Sequence, residues 1–126
     1  LLAPYGPDGS GRLSAEELQG LDLSGVELVV LSACDTGRGE LADGEGVLGL
    51  SRALSVAGTK AFLLSLWKVP DAPTARLMNG FYGGLWGAPA LPAEPALRAT
   101  QLEMIAADRA SARFHPRDWG AWILVR

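Results

Sequence analysis

The fold is decided by residues 26–34, Val26-Glu-Leu-Val-Val-Leu-Ser-Ala-Cys34, an apolar run that ends in the only cysteine of the chain. A nearly unbroken aliphatic run predicts a strand buried on both faces, which is typical of parallel sheets. A glycine- and carboxylate-rich loop follows, from Asp35 to Gly46. Because α/β folds present functional groups at the carboxyl ends of such strands, Cys34 is a candidate nucleophile. The alternative is a buried core residue, since free cysteine is among the most buried residue types.

Size and composition exclude several classes of protein. A chain of 126 residues suffices for one domain, and 48% hydrophobic with 20% charged residues is typical of a globular protein. The net charge of -3 gives no basic surface for nucleic acid or an anionic membrane. No apolar run approaches the roughly 18 residues of a membrane span. A single cysteine fits a reducing compartment, so we expect a cytoplasmic protein with neither nucleic-acid nor membrane partners.

We also expect the chain to be a piece of something longer. It begins Leu1-Leu-Ala-Pro, with no initiator methionine and no signal-peptide pattern. The strand at 26–32 has the composition of an interior strand, yet this sequence offers it a partner on only one side. Long apolar strand edges are normally avoided, so further strands are expected before Leu1.

Local patterns predict the remaining elements. Ser14 and Glu17 form a capping box for a short helix, and Gly58 ends a helix that begins near Val47. Strands are expected at 60–67 and 119–125, and helices from the N-cap Asp71 and over 94–108. This order of elements predicts an α/β sandwich.

Side-chain placements follow from the same patterns. The helix at 94–108 is predicted to turn one set inward and another outward: Leu97, Leu102, Ile105 and Ala106 inward, Arg98, Glu103 and Asp108 outward. Three tryptophans, Trp67, Trp119 and Trp122, are expected to fill the interface between sheet and helices, and Trp86 to be exposed.

Six segments, in this order, resemble the C-terminal part of the CHAT domain, a caspase-like module often joined to tetratricopeptide repeats. They are 31–37 (Leu-Ser-Ala-Cys-Asp-Thr-Gly), 44–53, 65–71 (Ser-Leu-Trp-Lys-Val-Pro-Asp), 77–82, 96–101 and 115–121. The resemblance covers the chain from about Gly9 to Val125. It implies a caspase-like three-layer sandwich with a mostly parallel sheet, of which residues 1–126 are the C-terminal part.

The resemblance also implies a cysteine endopeptidase that requires no cofactor. No metal is expected either, because the acidic loop of residues 35–46 lacks an EF-hand spacing. Cys34 matches the nucleophile position, and the family's catalytic histidine lies upstream, so the fragment alone is expected to be inactive. The implied partners are a peptide or protein substrate and an N-terminal repeat domain of the same parent chain. His115, the only histidine here, lies in a segment that the family carries as structure. A loop or capping role is favoured for it over that of the base.

A substrate pocket is implied by the segment at 65–71, which is similar to the separase segment whose acidic residue receives an arginine at P1. The implied substrate-binding residues are Asp71, Asp35, Ser65 and Trp67. An anionic pocket favours a basic P1 side chain through charge-assisted hydrogen bonds. The alternative for Asp71 is a helix N-cap without a role in binding.

Two other functions compete with the peptidase. One is a catalytically inactive caspase-like interaction or scaffold module of a repeat-containing signalling protein. The other is a flavodoxin-like or Rossmann-type binding domain, which is weakened because Gly37-x-Gly39 lacks the full glycine fingerprint.

Overall fold

A computed structural model describes residues 14–31 and 45–126, the side chain of Glu45 excepted. These residues form five helices and three strands. In chain order they are α1 (Ala15–Gln19), β1 (Val29–Leu31), α2 (Glu45–Ala57), β2 (Phe62–Ser65), α3 (Asp71–Leu85), α4 (Ala93–Ala110), α5 (Pro116–Trp119) and β3 (Trp122–Val125).

The three strands form one sheet in the order β1-β2-β3. β1 runs parallel to β2, with Leu31 opposite Leu64. β3 runs antiparallel to β2, with Trp122 opposite Ser65. The sheet was expected to be mostly parallel, and in the described part of the chain it is mixed, with one pairing of each kind.

Helices cover both faces of this sheet because alternate strand residues point to opposite sides. Leu63 and Trp122 pack with residues of α3 and α4, among them Phe81 and Leu97. Phe62 and Leu64 pack on the other side with Leu18 of α1 and with Ala53 and Leu54 of α2. All four residues of β2 are buried, which makes it the centre of the fold.

Two predicted helix ends are confirmed. The Ser14 hydroxyl accepts a hydrogen bond from the Glu17 amide at 3.1 Å, and the Glu17 carboxylate accepts one from the Ser14 amide at 2.8 Å. This reciprocal pair satisfies amides that the first turn of a helix leaves without partners. Gly58 follows α2 with a φ of 91°, a conformation that glycine adopts without steric cost.

Small residues let α3 and α4 approach closely. A Cβ added to Gly80 would lie 2.6 Å from Cγ2 of Thr100, and one added to Gly84 would lie 3.0 Å from Cβ of Ala96. Thr100 is buried at this crossing, so the helix pair has no space for a larger side chain at Gly80.

The predicted inner face of α4 is partly wrong. Leu97 is buried, but Leu102 is 53% exposed and Ala106 is also exposed. The buried residues are Ala96, Leu97, Thr100 and Met104, which follow the three- and four-residue spacing of one helical stripe. Leu102 lies five residues after Leu97 and therefore leaves that stripe. Asp108 was expected to point outward, but it lies on the buried stripe of α4 and is half-buried.

The burial of the tryptophans agrees with the expectation for three of them and not for Trp67. Trp122 is buried, and Trp119 packs against the α3–α4 side of the core. Trp86 is 78% exposed, as predicted. Trp67 was expected in the interior and is instead 42% exposed, because it lies beyond the end of β2 in a surface loop.

Candidate functional site

The candidate site lies at the end of the sheet where β1 and β2 have their carboxyl ends. Because β1 and β2 are parallel, with Leu31 paired to Leu64, both strands reach their carboxyl ends on the same side. Functional groups of α/β folds collect at such an edge. β2 continues there into residues 66–70, which lead to Asp71 at the start of α3.

Two hydrogen bonds hold the loop of residues 66–70. The Leu66 amide donates to the Ala121 carbonyl at 2.8 Å and extends the β2–β3 ladder by one bond. The Trp67 indole Nε1–H donates to the Arg117 carbonyl of α5, also at 2.8 Å. The loop is therefore hydrogen-bonded to α5, while Trp67 as a residue remains partly exposed.

Asp71 is exposed and is the first residue of α3. The prediction that it caps this helix is wrong: Pro70 is the N-cap, and no side-chain hydrogen bond caps α3. The Pro70 carbonyl accepts both the amide of Thr74, at 3.1 Å, and its hydroxyl, at 2.9 Å. The Asp71 carboxylate keeps only the general advantage of negative charge in a first helical turn.

Ser65 is 2% exposed and lies opposite Trp122. Directly opposed residues of an antiparallel pair project to the same face, so its side chain lies on the face that α3 and α4 cover. A role for Ser65 in the site would therefore run through its backbone at the carboxyl end of β2.

The end of α4 anchors α5 through Asp108. Its Oδ2 accepts a hydrogen bond from the His115 amide at 3.1 Å and another from Nε1 of Trp119 at 3.2 Å. His115 is the N-cap of α5, its side chain makes no capping hydrogen bond, and the residue is exposed. His115 therefore lies at the N-cap position of α5, but its side chain does not cap the helix.

The predicted nucleophile Cys34 and the adjacent Asp35 lie outside the described residues. Within residues 14–31 and 45–126, no three His, Cys, Asp or Glu side chains come together as a possible metal site. No helix in this part of the chain is both long and apolar enough to cross a membrane.

Comparison with known proteins gives the family. The family model of the CHAT domain matches residues 1–126. This chain belongs to the CHAT family. The match includes the segments at 31–37 and 65–71 on which the resemblance rested, and it makes the chain a member of a caspase-like family.

Relatives of this CHAT domain are tetratricopeptide repeat proteins. It is 32% identical over 113 residues to the mouse protein "Tetratricopeptide repeat protein 28" and 31% identical over 113 residues to the human protein of that name. The alignments cover 90% of this chain but only 4% of either relative. No solved structure matches the chain.

Sequence reasoning missed two supports of the site. The Arg117 carbonyl that receives the Trp67 indole lies 50 residues away in sequence, and backbone acceptors leave no trace in residue types. Asp108 could have been found, because it follows the buried Met104 by four residues and so lies on the inner stripe of α4.

Proposed function

We propose that this CHAT domain is a cysteine endopeptidase module in which Cys34 is the nucleophile. The observation that supports this most strongly is the family match over residues 1–126, which includes the cysteine-bearing segment after β1. In the proposal, a histidine in the upstream portion of the domain is the general base, and no cofactor takes part.

The register of the sheet supports a site formed by Cys34 and the loop of residues 66–70. Leu31 pairs with Leu64. Cys34 follows Leu31 by three positions, and Trp67 follows Leu64 by three positions. Three residues of chain reach at most about 10 Å. This short separation along the chain supports the proposal that Cys34 lies close to the loop of residues 66–70.

The proposed reaction is ordinary acyl transfer. The upstream histidine takes the thiol proton, and the thiolate of Cys34 forms a C–S bond with the substrate carbonyl. The peptide C–N bond then breaks, and the amine leaves with a proton from the imidazolium. Water hydrolyses the thioester and regenerates the thiol. The Cys34 amide is one proposed donor to the developing oxyanion.

Asp71, with Asp35, is proposed to receive a basic P1 side chain. The Asp71 carboxylate is exposed at the start of α3 and does not cap that helix, so its interpretation as a structural cap is removed. Carboxylates bind guanidinium groups through charge-assisted, often bidentate hydrogen bonds. Trp67 is proposed to form an apolar wall of the same pocket. Ser65 is proposed to border the pocket through its backbone.

We extend the proposal to the whole domain: residues 1–126 are its C-terminal part, and a further strand pairs with β1. Among the described residues β1 pairs only with β2. A groove of about 740 Å³ lies beside it, lined by Leu28 and Val30 and by Tyr82, Leu85 and Trp86 near the end of α3. An open strand edge next to an apolar groove is the surface that an added strand would cover.

The parent chain is proposed to carry a repeat domain before the peptidase, since the relatives are named tetratricopeptide repeat proteins. The repeats would bind a partner and control access of the substrate. We also propose a cytoplasmic location, because a single cysteine fits a reducing compartment.

The test uses the complete parent protein and a library of fluorogenic peptides with every residue type at P1. Hydrolysis is expected for the wild type, with basic P1 residues preferred, and is expected to disappear in Cys34→Ala. His115→Ala serves as the control and is expected to keep its activity within about twofold, since His115 is placed at the start of α5.

Hydrolysis that persists in Cys34→Ala would refute the assignment of the nucleophile. A folded wild-type protein that cleaves no peptide and no protein of a cell extract would instead favour the scaffold function. Loss of activity in His115→Ala, with the fold intact, would move the role of the base to this residue.

A further inference from the structure

We propose that Trp67 is a positioning residue whose indole N–H sets the place of Asp71 in the substrate pocket. This inference rests on the proposed peptidase function and adds to it a determinant of P1 specificity. It concerns the hydrogen bond from Nε1 of Trp67 to the Arg117 carbonyl, and not the contact of the ring with substrate.

The bond joins a short loop to a well-anchored helix. Only residues 66–70 separate β2 from α3, so a restraint on Trp67 acts four residues before Asp71. On the other side, α5 is fixed by the two hydrogen bonds that Asp108 accepts from the His115 amide and Trp119. The Arg117 carbonyl is therefore a firm point of attachment for the loop.

The hydrogen bond of the indole N–H fixes the direction of the Trp67 side chain. Packing alone restrains this loop only in part. Trp67 is 42% exposed and Lys68 is exposed, while Val69 contacts the core from the far end of the loop. Asp71 directly follows this loop as the first residue of α3. A pocket whose acidic group is already in place binds a basic side chain without first ordering the chain that leads to that group. Removal of the N–H should therefore weaken binding of the P1 side chain and leave the chemical step alone.

The experiment compares Trp67→Phe with wild type in the complete parent protein. Phenylalanine keeps an aromatic ring and removes the hydrogen-bond donor. For peptides with Arg or Lys at P1 we expect KM to rise about threefold to tenfold, the range that one typical hydrogen bond supports, while kcat stays within twofold. For peptides with an apolar P1, KM should rise by a smaller factor, because the phenylalanine ring changes only the proposed apolar wall and not the place of the acidic group.

Trp86→Phe is the matched control. Trp86 follows the opposite end of α3, far along that helix from Asp71, and its ring stacks on Tyr82 with the ring centroids 4.9 Å apart. The same chemical change at this position should leave KM unchanged for every P1 type. A second measurement, the affinity of a fluorescent peptide with a C-terminal arginine for the Cys34→Ala protein, should fall by the same factor when Trp67→Phe is added.

The outcomes separate this inference from the proposed function. A wild-type protein without peptidase activity, or without a preference for basic P1 residues, refutes the pocket itself and the inference with it. An intact preference together with an unchanged KM in Trp67→Phe refutes the inference alone. Equal losses with basic and apolar peptides would show that Trp67 is merely structural and would also refute it.

Discussion

Replacement of Gly80 by alanine should destabilise the fold, although alanine is the better helix former. Gly80 lies in α3 where this helix crosses α4. A Cβ at this position would lie 2.6 Å from Cγ2 and 2.9 Å from Oγ1 of Thr100. Thr100 cannot move away freely, because it is buried and its hydroxyl donates to the Ala96 carbonyl at 2.9 Å.

Two opposing effects set the size of the change. Gly→Ala in a helix interior gains about 1 kcal/mol of intrinsic helix stability. Insertion of a methyl group into a packed interface costs about 1–3 kcal/mol. Gly83 provides the comparison, since it lies on the same helix, is exposed and has no atom within 4 Å of an added Cβ. Gly83→Ala should therefore show the gain alone, and the two variants should differ by about 1–3 kcal/mol.

The assay is urea unfolding of the purified protein, followed by circular dichroism. With a slope of about 2 kcal/mol per molar urea, a difference of about 2 kcal/mol separates the two midpoints by about 1 M. Adding Thr100→Ala to Gly80→Ala should recover most of the loss, because it removes the two closest atoms. If Gly80→Ala stabilised the protein as much as Gly83→Ala does, the described crossing of α3 and α4 would be refuted.

Two further predictions concern the region around α1. Ser14→Ala removes the hydroxyl that caps α1 and should lower the free energy of unfolding by about 1 kcal/mol. Ser55→Ala, at an exposed position within α2, is the control and should not lower the free energy of unfolding. Equal effects of the two substitutions would contradict the capping role of Ser14. The side-chain and backbone hydrogen bonds from Ser24 lower the pKa of the Asp22 carboxyl, so its contribution to stability is present above the unfolded-state pKa and is lost as the pH falls through the folded-state value. NMR titration should show this pKa rise in Ser24→Ala, and an unchanged pKa would contradict the assignment.

Local signals in the sequence predicted local structure well. The capping box of Ser14 and Glu17 and the glycine at position 58 are confirmed, because each depends on residues within a few positions of one another. The order of the strands and the longer helices was also predicted, since a buried apolar run and a 3.6-residue stripe are properties of contiguous residues. The short helix α5 was not predicted: Trp119, expected to begin the last strand, ends α5, and β3 begins at Trp122.

Placements that depend on distant residues were predicted less well. Trp67 was expected in the interior because of its size, but its environment is decided by the Arg117 carbonyl, 50 residues away. Asp71 was assigned as an N-cap from its residue type, whereas the backbone of Pro70 begins the helix. The error on α4 was one of phase: Leu102 is apolar, but the positions of α3 and of the sheet decide which stripe of α4 is buried.

The direction of β3 links the mixed sheet to the candidate site. Since β3 runs antiparallel to β2, with Trp122 opposite Ser65, its amino end lies at the carboxyl end of β2. α5 immediately precedes β3 in the chain, so it reaches the same edge, and its Arg117 carbonyl can accept the Trp67 indole. A parallel β3 would instead begin at the amino end of β2, away from the loop at 66–70. The antiparallel direction of β3 is therefore what brings α5 to the loop that leads to Asp71.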